Sequence, residues 1–154
     1  TRHFPRAETV AYIGAQVVGA LLAAAALAAI WPSDPASLGA TQPTVGIGSA
    51  FVYEVVLSAL LMFVIVAVAT DTRAVGAAAA IAIGGTVGLD ALFGGPVTGA
   101  SMNPARSLGP ALVSGELSHL WLYLLAPPLG AAAGALAYQL VRGDDPSEPV
   151  AEAS

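Results

Sequence analysis

The 154-residue sequence has no cysteine and no lysine, and only 10% of its residues are charged. Without cysteine there is neither a disulfide framework nor a thiolate metal site. Soluble domains carry charge on about a quarter of their residues, so this chain lacks the polar surface of a soluble fold. Its five cations are scattered arginines and its net charge is −5, which excludes a nucleic-acid-binding surface. The two histidines and the dispersed carboxylates make no metal-ligand spacing, no Ser/His/Asp set and no phosphate-cradling glycine loop. Neither an enzyme, nor a cofactor, nor a bound metal is expected.

What remains is apolar, 56% of the residues, and it falls in uninterrupted blocks rather than amphipathic stripes. A membrane-crossing helix needs roughly 20 apolar residues. Four segments qualify: 10–31, broken by Gln16 and ended by Pro32; 51–70, with Glu54 near its start; 75–93, rich in Ala and Gly, with Asp90 near its end; and 117–141, interrupted by Pro127-Pro128. Residues 33–44 read as an irregular, exposed loop. From residue 143 to 154 the chain is acidic, contains proline and is predicted to be a disordered tail. Residues 1–142 form the membrane domain, with the lipid bilayer as its partner.

Arginine positions set the expected topology. Arg2 and Arg6 precede the first span, Arg73 lies between the second and third, and Arg142 comes after the fourth. With four spans these places share one side, which the positive-inside rule makes cytoplasmic. Thr1 and the acidic tail would then both be cytoplasmic. Arg106, between the third and fourth spans, is the exception.

The stretch around it, TGASMNPARSLGPAL (98–112), explains why. Asn103 is a good N-cap, and Pro104 suits the first helical position because it has no N–H to leave unpaired. A helix over 105–113 would be about 15 Å long, half the hydrocarbon thickness. The preceding GGPVTGAS resists a regular helix. Irregular backbone at membrane depth survives only inside protein or beside a water-filled cavity. A re-entrant loop leading into a half-helix meets these constraints, and a surface loop with a short interfacial helix is the alternative. The expected fold is therefore all-α, with four transmembrane helices and one re-entrant half-helix.

SMNPARSLGPA resembles the second Asn-Pro-Ala box of the major intrinsic proteins, the aquaporins and glycerol facilitators. AYIGAQVVGALLAA is similar to that family's third helix, FVYEVVLSALLMFVIVAVATD to its fourth and LWLYLLAPPLGAAAGALAYQLV to its sixth. The resemblance covers residues 1 to about 142 and is strongest to the nodulin-26-like branch and its bacterial relatives. The family has six spans and two boxes, whereas Asn103-Pro104-Ala105 is the one such triplet here. RHFPRAETVAYIGAQ resembles the segment directly after the family's first box, so the chain reads as an N-terminally truncated channel.

The resemblance implies a passive channel of the plasma membrane for water and small uncharged solutes such as glycerol, urea or metalloid acids. It also implies exclusion of ions and a homotetramer of the full-length protein. Asn103 and Arg106 would donate hydrogen bonds into the pore, with Arg106 repelling cations, and the carbonyls of Gly99, Ala100 and Ser101 would line it. Ala91 and Ala100 fall on two of the family's four filter positions. Bottom-up, an intramembrane carboxylate such as Glu54 is a functional candidate. The resemblance implies that it accepts N–H groups of the re-entrant loop, with Gln16, Pro104 and Ala105 as further support; a proton relay is the alternative, but it wants a chain of partners and the sequence has only two histidines. Asp90 is expected to make a helix-end or loop hydrogen bond. The Gly84/Gly88 and Gly130/Gly134 pairs fit close helix packing. A secondary transporter with a broken-helix site, or a non-conducting membrane fragment, are the competing readings.

Overall fold

A computed structural model describes residues 6–32, 39–70 and 76–142. Five helices succeed one another: α1 (Arg6–Ile30), α2 (Ile47–Thr70), α3 (Gly76–Thr98), α4 (Pro104–Ser114) and α5 (Leu120–Val141). Four of them, all but α4, are long and apolar enough to cross a membrane. At 1.5 Å per residue, α4 is about 16 Å long and reaches halfway. The expected architecture of four spans and a half-helix is what the chain forms. The predicted tail, 143–154, and Arg2 and Arg73 lie outside the described residues.

Two expected breaks are absent. Helix α3 continues through Gly94, Gly95 and Pro96 to Thr98, so the irregular backbone begins at Gly99. Pro96 sits in the last turn, where its missing N–H costs the helix a single bond. Helix α5 runs unbroken through Pro127 and Pro128, because neighbouring helices hold the segment helical around them.

Helix α2 packs most extensively on α5, and less on α3, while α1 rests mainly on α4. Gly130 and Gly134 of α5 make the α2–α5 seam. A Cβ on Gly130 would strike the Val55 carbonyl, and one on Gly134 the Ala59 carbonyl. Gly109 brings α4 onto α1 in the same way: a Cβ there would lie 2.5 Å from the Ala20 carbonyl carbon and oxygen. Gly84 and Gly88, given the same packing role from sequence, have nothing within 4 Å. Among the described residues, no helix packs on that face of α3.

Candidate functional site

The site is built where α3 ends and α4 begins. Between them the chain turns through Gly99 (φ 84°), Ala100 (φ 44°) and Met102 (φ 52°). Left-handed backbone at non-glycine residues costs about 1–3 kcal/mol each and persists only where the surroundings over-determine it. Those surroundings come from three elements. Glu54 on α2, fully buried, accepts from Ser101 N–H at 2.9 Å, Met102 N–H at 3.0 Å and the Thr98 hydroxyl at 2.6 Å. From α5, the Tyr123 hydroxyl donates to the Thr98 carbonyl at 2.6 Å. The third is the connector 39–46, whose Thr44 N–H donates to the Val97 carbonyl at 2.9 Å and whose Thr44 hydroxyl donates to the Pro96 carbonyl at 2.8 Å.

With the N–H groups of Ser101 and Met102 taken up behind the loop, no hydrogen bond among the described residues ends on the carbonyls of Gly99, Ala100 or Ser101. A row of free acceptors results. Asn103 then caps α4: its side-chain oxygen accepts from Ala105 N–H at 2.9 Å and Arg106 N–H at 3.4 Å. That bonding leaves the Asn103 amide NH₂ as a free donor type at the tip. Pro104 occupies the first turn, and Gly115, left-handed at φ 78°, closes the other end with its N–H on the Ala111 carbonyl. The N-terminus of α4 also carries the positive end of the helix dipole.

Asn103, Ala105 and Arg106 line a cavity of about 400 Å³ together with Gln16, Ala20 and Gly39. The Arg106 guanidinium donates to the Gly39 carbonyl. Gln16 is exposed on the cavity wall and takes none of the loop's hydrogen bonds. Ala91 is exposed on α3 and Ala100 is buried beside the Gly94 backbone; neither side chain lines this cavity. Asp90 is buried, with Oδ2 unpartnered.

Sequence reasoning missed Thr41, Thr44, Thr98, Ser107 and Tyr123. The connector reads as exposed in the sequence, yet Thr41 is buried. Nothing local distinguishes a loop threonine that will be buried from one that will not, and a tyrosine in an apolar span gives no sign of its partner. Ser107, one residue after Arg106, had only its place in the first turn of α4 to mark it.

The arrangement defines a class: an all-α membrane bundle in which the capped tip of a half-helix faces a cavity, while Gly99, Ala100 and Ser101 are not among the residues that line it. The chain belongs to the major intrinsic protein family, whose model matches residues 1–138. It falls with the nodulin-26-like branch. It is 50% identical to nodulin-26 of Glycine max over 152 residues, 99% of this chain and 55% of that protein. It is 51% identical to aquaporin NIP6-1 of Arabidopsis thaliana over 141 residues, 92% of this chain and 46% of that protein. The chain thus spans about half the length of the curated relatives it matches. An aquaglyceroporin from Plasmodium falciparum shares the fold, with a TM-score of 0.78 and 22% identity over 90% of this chain and 66% of that one.

Proposed function

We propose that this chain forms part of a passive channel for water and small uncharged solutes. The observation that carries the reading is the cavity that Asn103 and Arg106 share at the N-terminus of a half-helix. A solute crossing there exchanges hydrogen bonds with the Asn103 amide, the guanidinium and the acceptor row of Gly99, Ala100 and Ser101. Cations meet the positive end of the α4 dipole and the fixed charge of Arg106. Membership in a family of channels, and relatives named as aquaporins, support the same reading.

The solute range is set by size. The filter positions that the resemblance assigns to Ala91 and Ala100 carry only methyl groups, so glycerol, urea and undissociated metalloid acids pass alongside water. The protein works as a homotetramer in the plasma membrane, with Thr1 and the acidic tail on the cytoplasmic side, where four of its five arginines then lie. Stopped-flow light scattering on proteoliposomes of the full-length protein tests this. Water flux with linear, unsaturable glycerol and urea flux is expected. Saturable, ion-coupled flux would make it a transporter, and water flux alone would defeat the wide filter.

A further inference from the structure

The connector 39–46 is a strap laid across the re-entrant loop. At Thr44 it is tied to the end of α3 through the Pro96 and Val97 carbonyls. At Thr41 it presses on the loop itself: a Cβ on Gly99 would lie 3.0 Å from the Thr41 Cα. At Gly39 its carbonyl takes the Arg106 guanidinium.

Thr41 also begins a chain of hydroxyls. Its Oγ1 donates to Ser107 Oγ at 2.7 Å, Ser107 and Ser101 Oγ are 2.6 Å apart, and Ser101 Oγ donates to the Asn103 carbonyl at 2.9 Å. A hydroxyl has one proton to give. Because Ser101 spends its proton on Asn103, Ser107 is the donor in the central pair, so all three bonds run the same way. Thr41, Ser101 and Ser107 are 7%, 4% and 1% exposed, and bonds in such a shielded row polarise one another. The relay joins the strap to the cap residue of α4, and the strap joins the relay to Arg106.

We propose that Thr41, Ser107 and Ser101 are positioning residues for the guanidinium of Arg106. Their hydroxyl relay fixes the strap's register on α4, and that register sets where the Gly39 carbonyl meets the guanidinium. Helix α4 alone places the Arg106 backbone; among the described residues, the hydrogen bond that fixes its long side chain is the one to this acceptor. Breaking the relay at either end frees the strap over residues 39–41, and the fixed positive charge at the mouth becomes a mobile one. The inference rests on the channel reading above.

The test uses proteoliposomes of the full-length protein, with water flux and proton leak measured on the same preparations. Thr41→Val keeps the shape and removes the relay's first donor, while Ser107→Ala removes its centre. In both, proton leak relative to water flux is expected to rise roughly fivefold, the factor that one hydrogen bond's net contribution corresponds to. Thr41→Ser restores the hydroxyl and should restore the wild-type ratio, and Arg106→Val sets the ceiling. A ratio unchanged in Thr41→Val and Ser107→Ala, with Arg106→Val leaking, would overturn the relay and leave the channel standing. So would a lowered melting temperature with an unchanged ratio, since that is the signature of a merely structural contact. If Thr41→Val does not reach the bilayer, Ser107→Ala against Ser107→Thr decides alone, the latter keeping the hydroxyl and the low leak. Wild-type protein with no water flux at all would instead sink the channel reading.

Discussion

Glu54 and Asp90 are both carboxylates in the membrane interior, 0% and 2% exposed, and they are provided for in opposite ways. Glu54 takes three donors, two of them backbone N–H groups of a loop that has no other acceptor for them. Asp90, a little over two turns before the end of α3, leaves Oδ2 buried with no partner. It also lies close enough to feel the Glu54 charge. An intramembrane carboxylate is therefore not a functional signal by itself. What distinguishes the two is the number of orphan donors each meets. Glu54 neutralises a cost created by the turn at 99–102, whereas Asp90 adds a desolvation cost of its own.

Removing Glu54 should have the largest effect. Glu54→Ala orphans two backbone N–H groups, at about 1–3 kcal/mol for each buried group left unpaired, and leaves the Thr98 hydroxyl donating only its long bond to the Gly94 carbonyl. Water flux should vanish and the detergent melting temperature should fall sharply; near-normal flux would show that the loop holds itself. Glu54→Gln comes next. Its amide keeps one acceptor but turns an NH₂ toward a donor, so a loss of roughly 2 kcal/mol is expected, the charged bond having become a neutral one. Thermal melts of the two variants side by side check the order.

Asp90→Asn should go the other way. It removes a charge beside Glu54 and supplies a donor in the same volume, so stability should be unchanged or rise by up to about 1 kcal/mol. A loss comparable to that of Glu54→Gln would mean Asp90 has a partner as important as the loop. The smallest effect belongs to Glu116, exposed between α4 and α5. The Ser118 hydroxyl and N–H hold its carboxyl below the ordinary carboxylate range. A depressed value contributes stability that is present above the unfolded value and lost as pH falls through the folded one. In full solvent this is slight, and Glu116→Gln should leave the acid melting profile nearly superimposable on wild type.

The glycine pairs show the same division between what was legible and what was not. Gly84/Gly88 and Gly130/Gly134 have identical spacing, and the sequence offers no reason to separate them. Among the described residues, only the second pair meets a helix, and it meets backbone, on the carbonyls of Val55 and Ala59. Small residues permit close approach; whether a helix arrives is decided by packing elsewhere in the chain. Likewise GGPVT carries helix-breaking residues and is nonetheless helical, because a proline in a last turn and a Gly94 on which a Cβ would lie only 2.7 Å from a Leu57 methyl cost less than ending α3 early.

The apolar blocks, through the cost of unpaired backbone in lipid, determined that this chain is a bundle of spanning helices. Asn103 and Pro104, as cap and first-turn residue, determined where the half-helix starts, since capping depends on neighbours two and three residues away. Tertiary structure alone decided which groups complete the mouth. The partners of Glu54 lie 44 to 48 residues along the chain, those of Thr44 lie 52 and 53, that of Thr41 lies 66 and the acceptor of Arg106 lies 67. Pairings at that separation leave no periodicity, spacing or propensity in the sequence, because they exist only once separate helices and a connector are brought against the same turn.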